Sequence, residues 1–169
     1  MRTWTVAELR TALRNASDRE RRTMQLPKGM VPDWPQLDYL GWRDPRAPQR
    51  GYLFVERDGA LEGILLRHSR VAAVPSRAVM CTLCRIPRRF DQVVLFTATG
   101  ESSERALSSR GTQLCADLDC HTRVNALRPT SPLEPEAEEL VAERRAGLRE
   151  RAQAFVADVL EMPRHGGRS

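Results

Sequence analysis

The four cysteines of the chain fall into two pairs whose spacing is typical of metal-binding motifs. Cys81 and Cys84 form a C-x-x-C pair, and Cys115 and Cys120 follow with four residues between them. In a C-x-x-C turn, two thiolates can bind one ion at about 2.3 Å each. The second pair lies where a predicted short strand passes into a predicted helix, whose N-terminal partial charge favours two further thiolates. We therefore predict one Zn²⁺ ion bound by all four cysteines.

A zinc ion with four cysteine ligands has no open coordination position, so the predicted ion is structural rather than catalytic. Three alternatives remain open for the same side chains. Two disulfides require an oxidising compartment, a redox-active C-x-x-C motif usually accompanies a βαβ unit, and four unrelated free thiols require no partner. His121 directly follows Cys120 and could replace a cysteine, although we expect it outside the ligand set.

Motifs for enzyme chemistry are weak in this sequence. His68 follows a predicted strand, but no serine or cysteine accompanies it in a recognisable catalytic arrangement. Asp117 and Asp119 lie between zinc ligands and could pair with nearby arginines. The Gly59-x-x-x-Gly63 segment lacks the Lys-Ser/Thr that completes a phosphate-binding loop. We therefore predict no catalytic residue, no enzyme activity and no small-molecule substrate.

The composition is that of a globular chain with a basic body. The 169 residues are 41% hydrophobic, enough to bury a core without disulfides. No apolar run approaches the roughly 20 residues of a membrane span, and no secretory signal is visible, so we expect a cytoplasmic protein without a membrane partner. The net charge of +5 is uneven, because residues 1–133 carry +7 and residues 134–162 carry −4.

Two capping boxes predict short helices at the start of the chain, one at Thr5–Glu8 and one at Ser17–Glu20, the second ending by Pro27. Residues 27–50 contain five prolines and the aromatic residues Trp34, Tyr39 and Trp42. Large aromatic side chains usually seek burial, so we predict an ordered loop there.

The middle of the chain is predicted to form a small antiparallel sheet. Residues 52–55 and 61–66 are two short, mostly apolar segments on either side of Asp58-Gly59. This order predicts a β-hairpin whose turn has positive φ angles. Residues 92–99 are predicted as a third strand and residues 113–115 as a short fourth. We expect a helix over residues 117–127. Residues 100–111 are predicted to be a flexible loop.

A long amphipathic helix is predicted at the C-terminal end. Ser131 and Glu134 form a capping box with Pro132 at the first helical position, and the helix is expected to run to Leu160 before Pro163. Its apolar face comprises Leu140, Val141, Leu148, Ala152, Phe155, Val156 and Val159. This face either docks on the preceding domain or is offered to a partner. We predict one domain over residues 1–128, followed by a link, this helix and a short tail over residues 129–169.

Four motifs, in this order, carry a resemblance to a known family. They are LGWRDPRAP at residues 40–48, MCTLC at 80–84, VLFTA at 94–98 and CADLDC at 115–120. On these motifs, residues 35–127 resemble the FBP family, the elongation factor G-binding proteins with a treble-clef zinc finger, which are related to the FusB-type fusidic acid resistance proteins.

The resemblance implies a zinc-dependent α+β domain with a treble-clef zinc finger. Together with the elements predicted above, the expected fold is α+β, with a small antiparallel sheet, a Cys₄ treble clef and a long C-terminal amphipathic helix outside the matched residues. The resemblance also implies a non-catalytic protein that binds translation elongation factor G at or near the ribosome. The alternative function is direct binding of ribosomal RNA or another nucleic acid through the basic body. A zinc-thiolate redox sensor is a third hypothesis.

Two further segments have alternative interpretations. Residues 41–45 could form a partner-binding patch around Trp42 and Arg43, or they could be a core tryptophan with local turn contacts. Arg85, Arg88 and Arg89 follow the C-x-x-C pair directly. They could contact RNA phosphates or an acidic protein face, or they could form a solvated cluster that balances the thiolates.

Overall fold

A five-stranded antiparallel sheet forms the centre of the computed structural model, which describes residues 1–68, 78–100, 109–131 and 133–162. The strands are β1 (Leu40–Arg43), β2 (Arg50–Arg57), β3 (Ala60–His68), β4 (Val79–Met80), β5 (Pro87–Arg88), β6 (Val93–Thr99) and β7 (Ser109–Cys115). The helices are α1 (Val6–Ala12), α2 (Asp18–Thr23), α3 (Cys120–Asn125) and α4 (Ala137–Leu160), with a 3₁₀ turn at Trp34–Gln36. The large sheet has the order β1-β2-β3-β6-β7, and β4 and β5 pair separately.

The sheet confirms the strands predicted from periodicity and adds to them. Asp58 and Gly59 have φ angles of 52° and 75°, as the predicted hairpin turn between β2 and β3 requires. Strand β6 matches its prediction, whereas β7 begins at Ser109 and is longer than expected. Strand β1 was missed, because four residues within a proline-rich segment give too short a pattern to recognise.

The central strands are buried on both faces, which explains their continuous apolar runs. Leu53 and Ile64 point into a core that contains the four cysteines and one face of α4. Tyr52 and Phe54 point into a second core that contains Leu9 of α1. The sheet therefore separates a zinc-side core from an N-terminal core.

The aromatic residues of the proline-rich segment are buried, as predicted. Trp34, Tyr39 and Trp42 are each at most 9% exposed. The Trp42 ring stacks on Phe54 at 5.4 Å, and its Nε1 donates to the Gln25 carbonyl oxygen at 2.8 Å. Trp42 is thus a core residue, which favours the structural interpretation of residues 41–45.

Asp44 in the same segment is a local structural acceptor. Its buried carboxylate accepts a hydrogen bond from the Tyr52 hydroxyl at 2.7 Å and from the Arg46 backbone N–H at 2.8 Å. The carboxylate therefore fixes the turn between β1 and β2.

Helix α4 docks on the sheet, and its start differs from the prediction. It begins at Ala137 rather than near Pro132, because Glu134 precedes Pro135 and such a residue disfavours helical backbone. Its end at Leu160 agrees with the prediction. Leu148, Ala152, Val156 and Val159 are buried in the zinc-side core, so the docking alternative is confirmed.

Some sequence predictions fall outside the described residues, namely Pro132, most of the loop over residues 100–111, and Pro163 with the tail behind it. The domain division after residue 128 stays a prediction. Of the helices that the structure describes, none has the length and apolar character needed to cross a membrane.

The two capping boxes predicted at the start of the chain are present, and the first one allows a local test. The third prediction, Ser131 and Glu134 as the cap of α4, was wrong, because the N-cap of α4 is Glu136 and its side chain makes no capping hydrogen bond. The Thr5 hydroxyl accepts from the Glu8 backbone N–H at 3.3 Å, and Glu8 accepts from the Thr5 N–H at 2.7 Å. We expect Thr5→Ala to destabilise the protein by about 1 kcal/mol in urea denaturation, because it leaves α1 uncapped. Thr11→Ala, the same change later in α1, is the control and should lower the free energy of unfolding by less. Equal losses in the two variants would contradict a capping role.

Candidate metal centre

The four cysteine sulfurs lie together in the zinc-side core. All four Sγ atoms lie within 4.8 Å of one another, and the residues are at most 1% exposed. Cys81 and Cys120 are 3.6 Å apart at sulfur, and Cys84 and Cys115 are 3.8 Å apart. A tetrahedron with metal–sulfur bonds of about 2.3 Å has edges of about 3.8 Å. The sulfur geometry therefore fits one tetrahedral zinc ion.

The first ligand pair lies on a tight turn between β4 and β5. The turn closes by a hydrogen bond from the Arg85 N–H to the Cys81 carbonyl oxygen at 2.8 Å, and Arg85 has a positive φ of 55°. The Thr82 N–H donates to the Gln113 carbonyl oxygen of β7 at 2.8 Å. This last bond fixes the turn against the strand that carries the third cysteine.

The second ligand pair spans the end of β7 and the start of α3, as predicted. Cys115 is the last residue of β7, and Cys120 is the first of α3, with Asp119 as the N-cap. Between them, Leu118 has a positive φ of 61°, and its N–H donates to the Cys115 carbonyl oxygen at 2.9 Å. The chain therefore folds back sharply, so that both sulfurs face the first pair.

Tyr39 supports this second loop, a role that the sequence analysis missed. Its hydroxyl donates to the Leu118 carbonyl oxygen at 2.7 Å and accepts from the Cys120 N–H at 3.1 Å. Burial, together with the neighbouring Cys120, raises the pKa of Tyr39 well above its usual range, so the hydroxyl keeps its proton. Only the aromatic character of Tyr39 is visible in the sequence, and it predicts burial without naming a partner.

Gly41 leaves room for the Tyr39 contact. A Cβ at Gly41 would lie 2.8 Å from the Tyr39 ring and 3.0 Å from the Leu118 carbonyl oxygen. Strand β1 can approach the cysteine loop this closely only because the side chain is absent.

The Tyr39→Phe variant tests the hydroxyl alone. We expect a loss of about 1–3 kcal/mol in the free energy of unfolding, because the Leu118 carbonyl and the Cys120 N–H lose a buried partner. Zinc transfer to a chromogenic chelator should also be faster than in wild type. Tyr52→Phe removes a hydroxyl from the other core and is the control, which should lose stability without faster zinc transfer. Unchanged transfer in Tyr39→Phe would contradict a supporting role at the metal.

The charge balance of the cluster favours a cation. Contacts with Cys115, Cys81 and Cys84, and burial, raise the pKa of the Cys120 thiol well above its usual range. Contacts with Cys115 and Cys120 act in the opposite direction on Cys81 and lower the pKa of its thiol. Sulfurs this close cannot all be thiolates unless a cation neutralises them, and zinc binding supplies that charge when it displaces the protons.

His121 lies beside the sulfur cluster without belonging to it, as expected. Its Nδ1 is 3.6 Å from Oδ2 of Asp38, whose side chain is fully buried. Asp38 also forms ion pairs with Arg145 at 2.9 Å and Arg149 at 2.8 Å, both from α4. Burial opposes ionisation of Asp38, but the nearby His121 ring and the hydrogen bonds from Arg145 and Arg149 lower its pKa well below the usual range.

A second contact joins α4 to the first cysteine pair. Arg151 Nε donates to the Leu83 carbonyl oxygen, between Cys81 and Cys84, at 2.6 Å. Through Asp38 on one side and Leu83 on the other, α4 contacts both halves of the centre. Sequence reasoning found the apolar face of α4 but neither of these polar contacts.

The remaining candidate residues have structural contacts. Asp117 pairs with Arg123 of α3, as predicted, whereas the Asp119 carboxylate accepts a hydrogen bond from the Thr122 backbone N–H and caps α3. His68 lies at the end of β3, where its ring is 5.9 Å from that of Phe96.

Comparison with known protein families gives a match over most of the chain. A family model described as "FBP C-terminal treble-clef zinc-finger" matches residues 8–159, from α1 into the last turn of α4. Neither a curated protein nor a solved structure matches the chain. The match covers more than residues 35–127, on which the sequence motifs lie. With the sulfur geometry, it confirms the prediction of one structural zinc ion.

Proposed function

The chain belongs to the FBP C-terminal treble-clef zinc-finger family, and from this membership we propose that it is a non-catalytic protein that binds elongation factor G. The observation that carries the proposal is a family match over most of the chain that includes a complete Cys₄ centre. Binding takes place in the cytoplasm, at or near the ribosome. It acts by shifting the population of the factor between ribosome-bound and free states.

Zinc has an organising role in this proposal. With all four coordination positions filled by cysteine, the ion supplies no open site for a reacting group. It holds the β4–β5 turn, the end of β7 and the start of α3 in one fixed arrangement. A face that is already ordered binds a partner at a lower entropic cost.

Direct binding of RNA is the second candidate, and the charge of the body favours it. Residues 1–133 carry a net charge of +7. Neutralisation of phosphates makes nucleic-acid affinity fall steeply as salt rises, whereas a mixed protein interface loses less.

Calorimetric titration of the zinc-loaded protein into elongation factor G from the same organism tests the proposal. Both proteins are treated with nuclease, and the titration is run at two salt concentrations. Saturable one-to-one binding that persists at the higher salt is the expected result. No binding by protein with confirmed zinc would overturn the proposal, and binding of ribosomal RNA in parallel would favour the second candidate.

A further inference from the structure

Two adjoining depressions lie on the surface beside the zinc centre. The first, the β5–α3 groove, has a volume of about 510 Å³ and lies between β5 and the C-terminal end of α3. The second, the adjoining hollow, has a volume of about 450 Å³ and is lined by Arg43 and Ala116 as well as by the acidic residues Asp91 and Asp117. Arg88 and Gln92 line both, so the two depressions form one continuous surface.

The floor of the β5–α3 groove is aliphatic. Ile86 and Leu127 are partly buried and pack on the zinc-side core, while Pro87 and Ala126 are exposed at its edges. No aromatic side chain is among the residues that line the groove or the hollow. Such a surface accepts an aliphatic side chain, but it offers no ring on which a nucleic-acid base could stack.

Arginine side chains surround this floor, and they differ in whether a carboxylate pairs with them. Arg123 is paired with Asp117, and Arg89 lies 3.2 Å from Asp91 in an exposed pair of little energetic weight. Within the described ranges, no carboxylate forms an ion pair with Arg88, which lies where the groove and the hollow meet. Four arginines against two aspartates leave this surface with a net positive charge, and Arg88 is the arginine at its centre.

The zinc centre fixes the shape of this surface. Strand β5 follows Cys84 after the positive-φ residue Arg85, and the Cys81 N–H lies 3.5 Å from the Ile86 carbonyl oxygen. The opposite wall is α3, which begins at Cys120. Both walls are thus anchored to zinc ligands, so the surface is formed before a partner arrives.

We propose that the β5–α3 groove and the adjoining hollow are the docking site for an acidic segment of a partner protein that carries an aliphatic anchor side chain. The anchor lies on Ile86 and Leu127, and a carboxylate pairs with Arg88. Charge complementarity selects an acidic partner, and the aliphatic floor selects a protein segment over RNA. The proposal rests on the proposed function where it takes elongation factor G as that partner.

Calorimetric titration with elongation factor G from the same organism gives the first test. Arg88→Glu reverses the charge at the centre, and Ala126→Trp fills the groove without any change of charge. We expect each to weaken binding by about tenfold or more. Arg22→Glu, on α2 and outside both depressions, is the matched charge control and should bind like wild type. Zinc content and circular dichroism confirm that each variant is folded.

The outcomes distinguish failure of the proposed docking site from failure of the proposed function. If wild type binds the factor and both groove variants bind equally well, the docking site is overturned and the function stands. If wild type does not bind the factor, the function fails, and the docking site is judged with peptide alone.

That second test uses the isotope-labelled, zinc-loaded chain in nuclear magnetic resonance titrations. The probes are a blocked peptide of glutamates with central leucines, and oligouridine. Peptide-induced amide shifts at Ile86, Arg88, Arg89, Ala126 and Leu127 that are lost in Arg88→Glu would support the docking site. No shifts there, or shifts with oligouridine alone, would overturn it.

Discussion

Cys84→Ser is expected to lose bound zinc, most of its folding stability and its partner binding in a single step. Serine keeps the approximate size of cysteine but offers a hydroxyl in place of a thiolate, a poor donor for zinc. The remaining three sulfurs would be buried beside an incomplete coordination sphere. Since the Cys₄ set joins the β4–β5 turn to the β7–α3 loop, its loss separates the walls of the zinc-side core.

The expected loss of stability is larger than that from removal of a single buried hydrogen bond or ion pair. Structural zinc contributes on the order of 10 kcal/mol or more to the folding of small zinc domains, whereas the total stability of a domain is about 5–15 kcal/mol. Zinc per chain should therefore fall from one to near zero by atomic absorption. The urea unfolding transition should move to much lower denaturant or disappear.

A matched control lies in the same turn. Thr82 is exposed, and its hydroxyl contacts that of Thr112 at 3.0 Å, a contact that serine can keep. Thr82→Ser should therefore retain zinc, stability and binding.

Wild-type protein provides a second route to the metal-free state if Cys84→Ser does not fold. Removal of zinc by a chelator should abolish binding of elongation factor G, and added zinc should restore it. A metal-free protein that stays folded and still binds would contradict the organising role of the metal.

Local sequence features were enough to predict the metal centre and much of the sheet. The cysteine spacing, the Asp58-Gly59 turn and the two capping boxes each involve residues that are close in the chain. Such features depend on backbone geometry that a few neighbouring residues decide. For this reason the four ligands, the β2–β3 hairpin and the starts of α1 and α2 could be located before any tertiary contact was known.

Long-range polar contacts could not be predicted in the same way. Tyr39 meets the Cys120 loop across about 80 residues of sequence, and Asp38 meets α4 across more than 100. Nothing in the local pattern of residues 27–50 distinguishes a tyrosine that packs from one that supports a metal loop. The sequence gives no sign of the buried Asp38 carboxylate either, because aspartate in a proline-rich segment is ordinarily a turn residue.

The adjacent residues Asp38 and Tyr39 explain why the proline-rich segment is ordered. Tyr39 holds the loop before α3, and Asp38 holds His121 of α3 together with Arg145 and Arg149 of α4. The segment therefore connects the metal centre to the C-terminal helix. A zinc knuckle alone would not require α4, but these contacts attach the helix to the metal centre.

Asp38→Asn is expected to lower the free energy of unfolding by about 2–4 kcal/mol, because it removes a buried charge that several partners share. The side chain of Asp38 is fully buried, whereas those of Arg145 and Arg149 are 22% and 55% exposed. Partial rehydration of the two arginines keeps the cost below that of a fully buried pair. Asparagine preserves the shape, so the loss reports on charge and not on a cavity. Urea denaturation of the zinc-loaded proteins gives the measurement.

Asp33→Asn is the matched control, because Asp33 is exposed in the same segment and its side chain makes no capping hydrogen bond. It should stay within about 0.5 kcal/mol of wild type, as surface changes usually do. A double-mutant cycle with Arg145→Gln then isolates the coupling to α4, since both residues lie in one network. We expect zinc transfer to a chelator to be faster in Asp38→Asn, because the carboxylate that contacts both His121, next to Cys120, and the arginines of α4 is lost. If Asp38→Asn behaved like Asp33→Asn in both measurements, α4 would be held by its apolar face alone and would not support the metal centre.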